Sequence, residues 1–503
     1  MSDALPIEDV LGDLCEALAC HGRAVLVAPP GAGKTTRVPL ALMDRIEGRI
    51  LMLEPRRLAA RAAAERMAQT LAEPLGQSVG YRVRGESVPG RRIEVVTEGI
   101  LTRMIQSDPS LEGIGCVIFD EFHERSLNAD LGLALVWEAR GALREDLAVL
   151  VMSATLEAGP VAALLGGAPV VTSEGRAFPV ETRWLDRPLP AGARLVDEAI
   201  RLILRAEAES RDTGGTILAF LPGEGEIRRA MGALGGSGCE LLPLYGALDA
   251  KAQRAALTPP GDRRRIVLAT AIAETSLTIP SVRVVVDAGR ARRARFDPGS
   301  GMSRLVTERV SRAEADQRRG RAGRVAPGIC YRMWARAEEG ALPAQAPPEI
   351  GVADLAGLAL ELAVWGAGAE DLAFLTQPPE GALAEARALL RSLEALDEGG
   401  RITIHGQALA RLPLHPRLAH MLISAGGRAA DLAALLSDRD PLRGAGCDLT
   451  LRLEAVRDPA GFAARHPLEM NRPAVERIRQ EAMRLRRLIA SRDGGGWAAR
   501  APR

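Results

Sequence analysis

The chain is expected to fold as two tandem parallel-sheet α/β lobes followed by a helical C-terminal part, and three observations lead there. Short apolar runs alternate with helical stretches over residues 24–155, which implies parallel strands covered on both faces. The alternation begins again after Pro179. Beyond Arg336 it gives way to Ala- and Leu-rich stretches of helical period.

In the first lobe, AVLVA (24–28) reads as a buried strand, and PPGAGKTT turns from it into a helix beginning near Thr35. RILML (49–53) precedes an Arg-rich helix over 56–70, and IEVVT (93–97) precedes GILTRMIQ. CVIFD (116–120) leads into a DEFH turn, and LAVLVMSAT (147–155) ends the series. Residues 173–196 carry Gly, Pro and charge, as a connector with some strand character would. The second lobe then has TILAFLP (216–222), ELLPLYG (240–246), RIVLAT (265–270) and VRVVVDAG (282–289).

In the helical part, DLAGLALELAVWG (354–366) and GALAEARALLRSLEALDEGG (381–400) have helical period. RITIHGQALARLPL (401–414) adds one short strand and another helix, a succession compatible with a winged helix. Helical pattern returns from His415 to Ile489, and DGGGWAARAPR reads as a disordered tail. The expected parts are therefore 1–175, 176–336, 337–408, 409–490 and the tail 491–503.

Composition narrows the function. At 503 residues and 47% hydrophobic content, the chain has room for three or four cores at about 100–200 residues per domain. A net charge of +1, from 65 basic and 64 acidic residues, excludes a generally basic protein but not a basic groove. Only 3% is aromatic, so any nucleic-acid contact is expected to lean on phosphates more than on stacked bases. Only two of the basic side chains are lysines, Lys34 and Lys251. The six cysteines show neither CxxC pairs nor histidines at zinc spacing, and no apolar run nears the ~18 residues of a membrane span. A cytoplasmic, membrane-free, monomeric protein is the expectation.

Four strings carry chemistry, and their order fits one shared phosphate site: GAGKTT (31–36), DEFH (120–123), SAT (153–155) and QRRGRAGR (317–324). Gly31, Ala32 and Gly33 offer backbone amides to phosphate oxygens, Lys34 a compact charge, and Thr35, followed by Thr36, a hydroxyl for magnesium. The strict pattern asks for glycine where this chain has Ala28. Asp120, at a strand's carboxyl end, is expected to hold magnesium through water. Glu121 is placed to take a proton from the attacking water. His123 has two readings, a structural hydrogen-bonding residue or a sensor coupling nucleotide to movement. Arg321 and Arg324, three apart, face one way and are expected to neutralise the transferring phosphoryl group from the other lobe, with Gln317 orienting the water.

These strings, with LPIEDV (5–10), LEPRRLAARAAAERMA (53–68), TEGIL (97–101), DEFHERSLNADLGLAL (120–135), FLPGEGEI (220–227), ATAIAETSLTI (269–279) and FDPGSGMSRLV (296–306), make the chain resemble the DEAH/RHA group of superfamily-two helicases. Within that group it resembles the bacterial HrpB-type ATP-dependent helicases, from Leu5 to about Ile489. The resemblance implies two RecA-like lobes, a winged helix over 337–408 and a ratchet-like helical bundle over 409–490. It also implies ATP and magnesium as cofactors, and 3′ to 5′ movement on single-stranded nucleic acid, RNA more than DNA.

By the same resemblance, Arg56, Arg57 and the Thr97, Glu98, Gly99 turn look like backbone contacts on the first lobe, and Thr270 on the second. Ser153 and Thr155 look like the link between hydrolysis and lobe movement. Thr275 and Ser276 would lie near the nucleotide, and Asp287 near its ribose. The chain departs from the family at Ala271, where asparagine is usual, and has no aromatic between Tyr245 and Arg265 to stack on a base, so use of several NTPs is expected. Relatives are expected to continue past its end. The competing expectation is an RNA-stimulated ATPase that clamps or remodels RNA without processive unwinding.

Overall fold

The computed structural model describes residues 5–154, 158–175, 178–259, 261–274, 279–297 and 299–491. Two compact units divide it, Met1–Ala353 with Leu372–Gln377, and Asp354–Asp371 with Pro378–Arg503. The first unit holds both lobes.

The first lobe has eight strands: β1 (Arg23–Val27), β2 (Arg49–Leu53), β3 (Val79–Val83), β4 (Glu86–Val88), β5 (Ile93–Val96), β6 (Ile114–Phe119), β7 (Ala148–Ser153) and β8 (Val170–Thr172). They form one sheet in the order β4-β3-β5-β2-β6-β7-β1-β8. Every pairing is parallel except β3 with β4, a hairpin at the edge. The central strands are apolar throughout because helices cover both faces. Val25, Leu26, Leu51, Met52, Ile118 and Leu150 are all without exposure. This order sets the ends of β1, β2, β6 and β7 side by side at the carboxyl edge, where open α/β sheets bind ligands.

The second lobe is a wholly parallel six-stranded sheet, order β11-β12-β10-β13-β16-β9. Its strands are β9 (Val180–Leu185), β10 (Thr216–Phe220), β11 (Glu240–Leu244), β12 (Arg265–Ala269), β13 (Val282–Asp287) and β16 (Gly328–Ala335). Between β13 and β16 stands an antiparallel hairpin, β14 (Arg290–Asp297) with β15 (Met302–Arg309), in the register Arg290↔Arg309 to Asp297↔Met302.

Residues 180–185, in the stretch read as a connector with some strand character, are an edge strand of the second sheet, and 290–309, for which the sequence suggested no element, form a hairpin. Both are half-exposed or mixed along their length, so neither shows the apolar run that marked the central strands. The helix Arg312–Gly320 that follows is started by a capping box: Ser311 N–H donates to Glu314 Oε2 (2.7 Å) while the Glu314 N–H reaches Ser311 Oγ (3.3 Å).

The second unit has helices at Ala356–Trp365, Glu380–Ser392, Ile404–Ala410, Pro416–Ala425, Ala430–Leu436, Leu449–Arg457, Pro459–Arg465 and Arg472–Ser491, with a bridge between Leu396 and Ile402. Among the described residues no helix is long and apolar enough to cross a membrane. The 492–503 tail lies outside the described residues, as do Thr155, Thr275 and Ser276.

Candidate functional site

The loop after β1 turns on Gly31 (φ +92°) and Gly33 (φ +99°), conformations open to glycine, and Gly33 is the N-cap of the helix Lys34–Met43. The helix N-terminus thus opens at this loop, while the Ala32 N–H donates to the Pro29 carbonyl (3.2 Å). Ala28, the departure from the strict pattern, is fully buried at the strand end with its N–H on the Ser153 carbonyl (3.0 Å), so its methyl group packs into the core. Leu5 and Ile7 brace the loop: a β-carbon on Gly33 would lie 2.7 Å from Leu5 Cδ1, and Ile7 N–H donates to the Ala32 carbonyl (3.1 Å). The sequence reading assigned no role to Leu5 or Ile7.

Lys34 is buried and lies 2.9 Å from Glu121 Oε1 and 3.8 Å from Asp120 Oδ1. Burial opposes its charge, but the Glu121 and Asp120 carboxylates outweigh that and hold its pKa above the usual lysine value. Thr35 Oγ1 donates to Asp120 Oδ2 at 2.5 Å. Burial, only partly offset by Lys34, pushes Asp120 up, whereas Lys34 overcomes burial at Glu121 and holds it down. Glu121 itself sits at φ +50°, a strained backbone that turns its carboxylate back toward Lys34.

Magnesium fits this donor set. A hydroxyl and a buried carboxylate already in contact supply two hard oxygens, and magnesium takes one or two from protein and the rest from water and phosphate. Among the described residues no cluster of three or more His, Cys, Asp or Glu would hold a metal alone.

His123 Nδ1 accepts from the Ala154 N–H (3.2 Å) and lies 3.5 Å from Glu121 Oε2, which ties the acid turn to the end of β7 beside half-buried Ser153. Burial pushes its pKa down, which favours the neutral ring, and the Ala154 N–H on Nδ1 sets the proton of that form on Nε2.

The second lobe contributes arginines. A β-carbon on Gly31 would lie 3.5 Å from Arg324 Nε, so Arg324 rests against the first lobe's loop. Burial pushes Arg324 down to about 10, against the pull of Glu121. Buried Arg321 donates from Nε to the Glu274 carbonyl (2.9 Å), and burial together with Arg324 holds its pKa well below the arginine range. Gly323 is required by a close approach, since a β-carbon there would lie 2.5 Å from the Phe178 carbonyl oxygen.

Arg318, in the same string, is taken up inside the lobe, 2.6 Å from Asp287 and 2.5 Å from Glu274 and 4.9 Å above the Phe220 ring. Asp287 is therefore fully buried, with Oδ1 also accepting from Gly289 N–H (2.8 Å). Asp287, expected near the ribose, is thus enclosed within the second lobe in this structure.

Of the residues expected on nucleic acid, Arg57 is exposed, and Thr97 and Thr270 are half-buried at the starts of helical turns. Arg56 is engaged within the protein, by Glu124 (3.0 Å) and the Ala271 carbonyl (3.0 Å). Together with His123, Glu274 and half-buried Gln317, it lines a cavity of about 330 Å³ between the lobes. Gln317 thus shares this cavity with His123.

Residues 13–163 match the family model described as DEAD/DEAH box helicase, and residues 196–326 match the helicase conserved C-terminal domain. The chain belongs to the DEAD/DEAH box helicases. It is 50% identical over 450 residues to the ATP-dependent RNA helicase HrpB of Escherichia coli (strain K12), an alignment covering 86% of this chain and 55% of that protein. It is 36% identical over 462 residues to the ATP-dependent RNA helicase HrpA of the same organism, covering 87% and 35%. The crystal structure of the Escherichia coli DEAH/RHA helicase HrpB superposes with a TM-score of 0.84 at 45% identity, covering 96% of this chain and 60% of that one. The chain spans about half the length of the first of these relatives and about a third of the second. Its two sheets are the RecA-like lobes of this DEAD/DEAH box helicase, and the residues gathered above come from both.

Proposed function

We propose that the chain is an ATP-dependent helicase acting on RNA, coupling hydrolysis to 3′ to 5′ movement along a single strand. The observation that carries this reading is the placing of Arg324 against Gly31, which completes a phosphate site only when both lobes contribute. Lys34, on turning to the β/γ-phosphates, releases Glu121, which then takes the proton of the attacking water. Thr35 and Asp120 would hold magnesium, which when bound would supply charge to offset that developing on the phosphates. Arg321 and Arg324 neutralise the transferring group, and a site split in this way hydrolyses ATP only when the lobes are closed. His123, Ser153 and Thr155 pass that closure to the first lobe's nucleic-acid face, where Arg57 and Thr97 lie. We assign 337–408 to a winged helix and 409–490 to a ratchet-like bundle, supported by the succession of helices around the Leu396–Ile402 bridge.

The test is ATP turnover with and without single-stranded RNA and DNA of equal length, Lys34→Ala as blank, followed by unwinding of duplexes with 3′ or 5′ overhangs. RNA stimulation with preference for the 3′ overhang is expected; stimulation by DNA alone, or unwinding from the 5′ side, would overturn the substrate or the polarity. Ala271 favours a second reading, an RNA-stimulated ATPase that clamps RNA, since its side chain offers no amide to a passing backbone. Stimulated turnover without strand separation would select it.

A further inference from the structure

Arg56 joins the two halves of the site. It is the N-cap of the helix Arg57–Thr70, in extended backbone (φ −119°, ψ 127°) just past the end of β2. Its guanidinium crosses the cleft: Nη1 donates to the Ala271 carbonyl on the second lobe at 3.0 Å. Nη2 lies 3.0 Å from Glu124 Oε1 on the first. Glu124 closes the one-turn helix Phe122–Glu124 that starts at Glu121, and its N–H returns to the Glu121 carbonyl (2.9 Å). Ala271 opens the turn Ala271–Ala273, which runs into Glu274, the partner of both Arg318 and Arg321. One rigid side chain therefore reaches the acid turn through Glu124 and the arginine cluster through Ala271.

A guanidinium with both prongs occupied inside the protein is ill suited to a simple phosphate contact, and the exposed neighbour Arg57 is free of that constraint. The second-lobe acceptor is a main-chain carbonyl, so the contact is indifferent to alanine replacing the family's usual asparagine. Resting on the function proposed above, we propose that Arg56 is a positioning residue for ATP hydrolysis, an interlobe strut that fixes the turn bearing Glu121 against Arg321 and Arg324. It touches no reacting atom. Lysine carries the same charge but is a point donor on a flexible stem, and it cannot hold two separated acceptors in one plane.

The experiment measures kcat and KM for ATP, without RNA and at saturating single-stranded RNA, and RNA Kd against salt. The proteins are wild type, Lys34→Ala, Arg56→Lys, Arg56→Gln, Glu124→Ala and the double variant Arg56→Gln/Glu124→Ala. A strut predicts that Arg56→Lys, Arg56→Gln and Glu124→Ala each lower kcat about ten- to a hundredfold with or without RNA. The double variant should be no worse than either single change, and RNA Kd and its salt slope should stay near wild type. The proposal is overturned if Arg56→Gln weakens RNA binding and cuts the salt slope by about one, Arg56→Lys restores both, and kcat at saturating RNA is unchanged. Absence of RNA stimulation in the wild type would sink the helicase reading alone, because the kcat without RNA still decides the strut. Wild-type turnover no higher than that of Lys34→Ala would sink both. Glu124→Ala, remote from the Arg56 backbone, guards against misfolding at the helix start.

Discussion

His123 accepts the main-chain N–H of Ala154 through Nδ1 at 3.2 Å, which links the acid turn to the end of β7. Protonation of Nδ1 would destroy the acceptor. Replacement by asparagine, whose Oδ1 occupies a similar place, preserves it. We expect His123→Asn to retain RNA unwinding per ATP consumed, and His123→Ala to retain ATP turnover while losing most unwinding. Paired ATPase and strand-separation assays read the ratio directly; equal loss of both activities in His123→Ala would assign the residue to hydrolysis instead.

Glu121 lies on Lys34 at 2.9 Å and is held ionised by it, as a base needs to be. Glu121→Gln keeps the shape and the hydrogen bond from Lys34 but has no proton affinity. Nucleotide binding is expected to survive, with hydrolysis down by about 10²–10⁴. Equilibrium binding of a fluorescent nucleotide and steady-state turnover check the two halves; turnover within threefold of wild type would remove Glu121 from the role of base.

Arg318 answers two buried carboxylates, Glu274 and Asp287, and has an aromatic ring beneath it. Arg318→Met would leave both acids buried and unpaired, at a cost of about 3–5 kcal/mol. The second lobe's thermal transition should fall well below that of wild type, while Arg324→Met, which breaks no ion pair among the described residues, should leave it nearly in place. Equal melting of the two variants would show that the buried cluster adds little to stability.

The contrast between those two arginines shows what was legible in the sequence. Both belong to QRRGRAGR, and the string placed them in one chemical neighbourhood. Nothing in it says that Arg318 turns inward to Asp287 while Arg324 turns outward to Gly31, because that depends on the crossing of β13 and the helix Arg312–Gly320. The same holds for Arg56, whose partner at Ala271 is a carbonyl that every residue possesses. The central strands were readable because burial on both faces makes them uniformly apolar. The hairpin β14–β15 was not, since Arg293 and Arg295 pair across the strands with Glu308, Arg293 also reaches Glu314 on the following helix, and no alternation is left to see.

Glu98 offers a prediction in pH. Its carboxylate accepts from Ser126 Oγ, yet burial, with Glu124, Glu349 and Asp130 nearby, raises its pKa from 4.5 to about 7. Between those values the folded protein binds more proton here than the unfolded chain, so stability is lost as pH rises through the window. Glu98→Gln keeps an acceptor for Ser126 without a charge to bury. It should match wild type near pH 5 and exceed it above pH 7 by about 1–2 kcal/mol, a figure discounted for partial exposure. Thermal melts of both proteins at pH 5, 6, 7 and 8 measure the divergence; a difference that stays constant across the series would mean that Glu98 ionises in the folded protein as it does in water.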